Sequence, residues 1–106
     1  MKFNTLYVSK WTDGDYSDVR VIKTKSYSLH SMVAGDSCDR IAEIGKYSRA
    51  NNIHSVVLCP GFTHQMVAEV AKEVGTDVAV AASRADGPGS LVSAGVRNKV
   101  KKELKQ

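Results

Sequence analysis

Cysteine is scarce in this chain, and that scarcity bounds the function. Cys38 and Cys59 are the two present, too few for a disulfide scaffold and without the close pairing that zinc sites use, so reduced thiols are expected. No metal site and no cofactor is implied by any spacing in the sequence. Long hydrophobic runs are missing too. No stretch approaches the roughly 20 apolar residues needed to span a bilayer, and the opening Met1-Lys2-Phe3-Asn4-Thr5 has no signal-peptide core. A cytoplasmic protein with no membrane partner is the expectation. Internal repeats and domain linkers are likewise missing, so residues 1–106 are expected to form a single domain. The interleaved aromatic and basic residues of RNA-binding surfaces are also lacking. The net charge of +4 is concentrated in Arg97, Lys99, Lys101, Lys102 and Lys105, which a solvated helical tail explains, and nucleic acid is not an expected partner.

What is present is an ordinary globular composition, 42% hydrophobic and 25% charged, which excludes disordered and fibrous classes. Alternating polar and apolar residues predict a first strand over Phe3–Ser9, a loop over Lys10–Asp18 around Asp13-Gly14-Asp15, a second strand over Val19–Thr24 and its partner over Tyr27–Ala34. Asp13, Asp15 and Asp18 lack the terminal glutamate of a calcium loop and read as a turn. A helix follows Gly35, with Asp36 as its N-cap. Its stripe of Cys38, Ile41, Ala42 and Gly45 is small enough to approach a sheet closely, and Asn51-Asn52 ends it.

The apolar run His54–Cys59 reads as a central parallel strand buried on both faces, stopped by Pro60. Thr63 caps the next helix, in which Phe62, Met66, Val67, Val70, Ala71 and Val74 recur at helical spacing until Gly75. Asp77–Ala82 is a second such strand, Ser83–Gly89 a loop, and Ser90 caps a last helix with Val92, Val96, Val100 and Leu104 four apart. The expected fold is α/β: an open sheet of about five strands, with a parallel β-α-β-α-β unit in the second half and a C-terminal helix.

Right-handed crossovers between parallel strands bring their carboxyl ends to one edge, where open α/β sheets bind ligands. The segments gathered there are Gly35-Asp36-Ser37, Cys59-Pro60-Gly61-Phe62-Thr63-His64 and Ser83-Arg84-Ala85-Asp86-Gly87. Gly61 permits close backbone approach, the first turn after Thr63 offers free amides, and Arg84 adds a forked donor; together these suit a small carboxylate or phosphate. Gly35, Asp36, Gly61, Phe62, Thr63, Arg84 and Asp86 are therefore the candidate ligand-binding residues. The plainer alternative is that Thr63 only caps its helix and Arg84 pairs with Asp86. Cys59, ending a strand before a helix N-terminus, is a candidate nucleophile with His64 as base or acid, against the alternative of a small buried hydrophobe. His30 and His54 have no ligand partner at a recognisable spacing.

Leu58-Cys59-Pro60-Gly61-Phe62, the amphipathic helix to Gly75, Val78-Ala79-Val80 and Arg84-Ala85-Asp86-Gly87 resemble a small uncharacterised bacterial family of single-domain α/β proteins. That family carries a Cys-Gly-Gly-Phe-Gly turn, in which Pro60 and Thr63 here replace glycines. The likeness covers most of the chain from Tyr27 onward and implies fold and site location, but no reaction. A fainter likeness, in Cys59 followed by Thr63-His64, is to aspartate and glutamate racemases, whose second cysteine comes from a related half that this chain is too short to hold. Three functions follow as expectations. The first is binding of a small anionic metabolite, with homodimerisation expected as for many small soluble domains. The second is a Cys59-dependent isomerase or lyase. The third is a homo-oligomeric assembly module in which an edge strand or the last helix docks on a copy of itself.

Overall fold

The computed structural model describes residues 1–36, 40–84 and 89–105. Cys38 and Asp86, both named above, lie outside the described residues. The strands are β1 (Phe3–Lys10), β2 (Asp15–Lys23), β3 (Tyr27–Ala34), β4 (Ser55–Leu58) and β5 (Ala79–Ala82), and the helices are α1 (Ala42–Ala50), α2 (His64–Val74) and α3 (Gly89–Leu104). They form one five-stranded sheet in the order β2-β3-β1-β4-β5. β1 runs parallel to both β3 and β4, β4 parallel to β5, and β2 antiparallel to β3. The α/β class, the parallel β3-α1-β4-α2-β5 unit and the C-terminal helix are as expected from the sequence. The position of β1 was not legible there: it is inserted between β3 and β4.

β2 starts earlier than its alternation indicates. A register shift between Asp15 and Val19 accommodates an irregularity that turns Tyr16 into the core, where it is buried. β2 advances four residues there while β3 advances one, and the three extra residues break the period of two on which the sequence reading relied. Where β2 begins, Gly14 and the end of β3 meet closely: a Cβ on Gly35 would lie 2.5 Å from the Gly14 carbonyl oxygen. Gly35 is buried and is required for this backbone contact.

The core lies on one face of the sheet. Leu6, Val8, Met32, Val56 and Leu58 are wholly or almost wholly buried against Ile41, Ile44, Val70 and Val74, each side chain contributing roughly 1.5–3 kcal/mol on burial. Three details differ from the sequence reading. The residue at the N-cap position of α1 is Ile41, which makes no side-chain cap, rather than Asp36. Gly45 permits close approach of α1 to α2 rather than to the sheet, since a Cβ there would lie 2.7 Å from the Glu73 carbonyl oxygen. Arg49 also donates to that carbonyl, at 2.7 Å. Finally, β4 and β5 are not buried on both faces. Val56 and Leu58 face the core while Ser55 and Val57 are half-buried, and Ala79, Ala81 and Ala82 of the edge strand β5 are exposed. Asn51 ends α1 as expected, followed by Asn52 with φ of 51°. Thr63 and Gly75 bound α2 as expected.

Candidate functional site

Because β1, β3, β4 and β5 are parallel, their carboxyl ends share one edge, and short-range bonds tie their exits together. The Trp11 amide donates to the Ala34 carbonyl at 2.8 Å, the Cys59 amide to the Val8 carbonyl at 3.0 Å and the Ser83 amide to the Leu58 carbonyl at 2.8 Å. From β1 the chain turns toward β3, and from β4 it turns toward β5. The two central exits therefore diverge, which opens a crevice between them.

A cavity of about 410 Å³ occupies that crevice, lined by Lys10 at the end of β1 and Trp11 after it, Asp36 after β3, Cys59 and Gly61 after β4, and Arg97 and Lys101 of α3. Its size is within the range of small-molecule sites. Lys10 forms an ion pair with Asp36 at 2.9 Å, and the Thr12 hydroxyl donates to the other carboxylate oxygen at 2.8 Å. The Lys10 hydrogen bond first, then that of Thr12, holds the Asp36 carboxyl below its ordinary range. Lys101 Nζ stands over the Trp11 ring, 5.3 Å from its centre. The half-buried Cys59 Sγ accepts a hydrogen bond from the Lys10 amide at 3.1 Å.

A second cavity of about 630 Å³ lies between the β4 and β5 exits, lined by Phe62, Thr63, His64, Val67, Ser83 and Arg84, and it shares Pro60 with the first. Here Thr63 Oγ1 accepts from the Met66 amide at 3.2 Å, the capping bond, and Phe62 is buried in the core. Thus Thr63, His64, Phe62 and Arg84 are brought together, and Gly61 and Asp36 meet in the other cavity. Cys59 and His64, neighbours in the sequence argument, line different cavities. Gly35 packs on Gly14 instead of on open space.

Lys10, Trp11, Arg97 and Lys101 were missed from the sequence. The first two depend on where β1 sits in the sheet, and the last two were read as part of a solvated tail. The histidines without an assigned role are structural. The Asn4 amide donates to His54 Nδ1 at 3.0 Å, and His30 is buried with Ser28 Oγ 3.1 Å from Nε2. Asp15 accepts from the Ser17 amide at 3.1 Å, the main cause that lowers its pKa; of the three aspartates read as a turn, Asp13 lies in one, whereas Asp15 and Asp18 belong to β2. Among the described residues no group of three or more His, Cys, Asp or Glu side chains is placed to hold a metal, and no helix is long and apolar enough to cross a membrane.

Compared with known proteins, the chain matches no curated protein and no solved structure. The model of one protein family spans residues 1–96, and on that match the chain belongs to the family of unknown function DUF6506.

Proposed function

We propose that this protein binds a small anionic metabolite at the carboxyl ends of its parallel strands, in the crevice between β1 and β4. One observation carries the reading: three cationic side chains, Lys10, Arg97 and Lys101, converge on one cavity whose lining, among the described residues, contains one carboxylate, Asp36, already paired with Lys10. A carboxylate or phosphate entering there meets a surplus of positive charge with Gly61 leaving room beside it. Arg84, with Thr63 and His64 in the adjoining cavity, is placed to take a second polar group of a longer ligand.

Thermal unfolding against a panel of small carboxylates and phosphates tests this. A ligand present at a hundredfold excess over its dissociation constant adds about 2.7 kcal/mol. Lys101→Ala and Arg97→Ala abolish the shift, whereas Arg84→Ala weakens it only for longer ligands. A panel without any shift ends the proposal.

Catalysis through Cys59 has one observation in its favour, that the thiol lines the same cationic cavity. Alkylation of Cys59 by iodoacetamide at neutral pH, blocked by the bound anion, would support an isomerase or lyase, and an inert thiol would leave binding alone. His64 lines the other cavity, so this reading does not use it as the base for Cys59.

A further inference from the structure

Among the described residues, the sheet has one face covered by helices and one without such cover. Register places Ile22, Leu29, Thr5, Ser55 and Ala79 in a single row across all five strands, with Arg20, Ser31, Tyr7, Val57 and Ala81 in the next. These residues alternate with the core positions and so point away from α1 and α2. Ile22 is 67% exposed on this side and Phe3 at its margin 52%, while Thr5 in the middle of the row is buried, its hydroxyl 2.8 Å from that of Tyr27.

The same chain carries an exposed apolar ridge on α3. Leu91, Val92, Val96 and Leu104 of α3 are all more than half exposed, and Val100 more than a third. Four of these residues lie four apart, the spacing of a ridge that packs into the grooves of a neighbouring element. α3 is held by its cationic side: Arg97 and Lys101 reach the carboxyl edge of its own sheet, with Lys101 over Trp11. That attachment keeps the helix at the edge, with Leu104 lining a cavity beside Thr12 and Asp13 of its own chain, and leaves Leu91, Val92 and Val96 turned outward.

We infer that the uncovered face of the sheet receives α3 of a second copy of this chain, reciprocally, in a two-fold dimer. The area agrees with this. The chain exposes 7040 Å², whereas a folded monomer of this mass exposes about 5,800 Å². The excess of about 1,200 Å² exceeds the roughly 800 Å² that each partner buries in a stable complex. The dimensions also fit, because a helix of 16 residues is about 24 Å long and five strands span about 19 Å. A two-fold axis satisfies both surfaces of both copies at once, since the patch and its complement lie on the same chain. This inference is independent of the anion site: α3 contributes its cations to the crevice of its own chain and its apolar ridge to the partner.

Sedimentation of the full chain, with site-directed cross-linking, tests the inference. The wild type is expected at twice the chain mass at micromolar concentrations, and Val96→Lys and Ile22→Glu at the chain mass with unchanged far-ultraviolet circular dichroism. Wild type at the chain mass throughout, or both variants still dimeric, overturns it. Cross-linking identifies the occupant of the sheet face independently of variant stability. In a background with Cys38→Ser and Cys59→Ser, a chain bearing Ile22→Cys mixed with one bearing Val96→Cys forms a covalent heterodimer on oxidation. If instead a chain bearing both substitutions closes only on itself, α3 covers its own sheet and the inference falls.

Discussion

The ring of His30 and the hydroxyl of Tyr47 are hydrogen-bonded through Nδ1, joining β3 to α1 inside the core. Ser28 Oγ lies 3.1 Å from Nε2 and donates in turn to Asn4 Oδ1 at 2.7 Å. The directions are mutually consistent for a neutral ring: Tyr47 donates to Nδ1, and Nε2–H donates to Ser28. Burial first, and the charge of Lys23 second, lower the His30 pKa, and burial raises that of Tyr47. The unfolded chain therefore takes up the His30 proton more readily than the folded one, so the stability this ring contributes is present above about pH 6.5 and declines as pH falls through that value. Urea unfolding from pH 7.5 down to 5.5 measures the decline, and His30→Gln should flatten it. Tyr47→Phe strands Nδ1 and should cost about 1–3 kcal/mol at neutral pH. A decline identical in His30→Gln would assign it to other groups.

Ser48 is buried on α1, and among the described residues its hydroxyl has no hydrogen-bond partner. A hydroxyl taken from water without compensation is a net cost, and alanine is also the better helix former. Ser48→Ala is therefore expected to stabilise the protein by about 1 kcal/mol, an unusual sign for a core substitution. Loss of stability in denaturant titration would show that the hydroxyl has a partner after all.

Two helical glycines should respond oppositely to the same change. Gly45→Ala places a methyl group 2.7 Å from the Glu73 carbonyl oxygen, a backbone atom that moves only if α1 and α2 separate. The clash should outweigh the gain in helix propensity and cost about 1–3 kcal/mol. Gly95→Ala in α3 meets nothing within 4 Å, so propensity alone acts and helix stability rises by about 1 kcal/mol. Thermal melts of the two variants side by side decide the matter, and a stable Gly45→Ala would mean that the α1 to α2 contact is looser than described.

The parallel unit was legible because its signals are local. Val56-Val57-Leu58 and Val78-Ala79-Val80 are short apolar runs, and Thr63 and Gly75 punctuate the helix between them. The placement of β1 was not legible, because pairing with β3 and β4 is made by backbone groups that leave no mark on side-chain pattern. Leu6 and Val8 alternating with Thr5 and Tyr7 suit an edge strand as well as a central one. The crevice depends on that placement, so Lys10 and Trp11 were hidden along with it. The apolar runs of β4 and β5 also suggested cover on both faces; they report a tendency to be buried, not which surface does the burying. Gly61, Thr63, His64 and Arg84 were legible as residues of the carboxyl edge because loop chemistry marks them. Their division between two cavities depends on the path of the backbone after Pro60.

Thr63 separates a structural role from a ligand-binding one. Its hydroxyl oxygen accepts from the Met66 amide at 3.2 Å with the backbone extended at φ −71° and ψ 164°, the geometry of an N-cap. Loss of such a cap costs about 1 kcal/mol. Thr63→Ala is accordingly expected to lower stability by that amount and Thr63→Ser to restore it, with both retaining affinity for whichever anion fills the crevice beside Lys10. Calorimetric titration on the three proteins makes the comparison. Affinity that falls in Thr63→Ala and returns in Thr63→Ser, beyond the change in stability, would move the anion toward the second cavity, where the hydroxyl hydrogen can still be donated while the oxygen caps the helix.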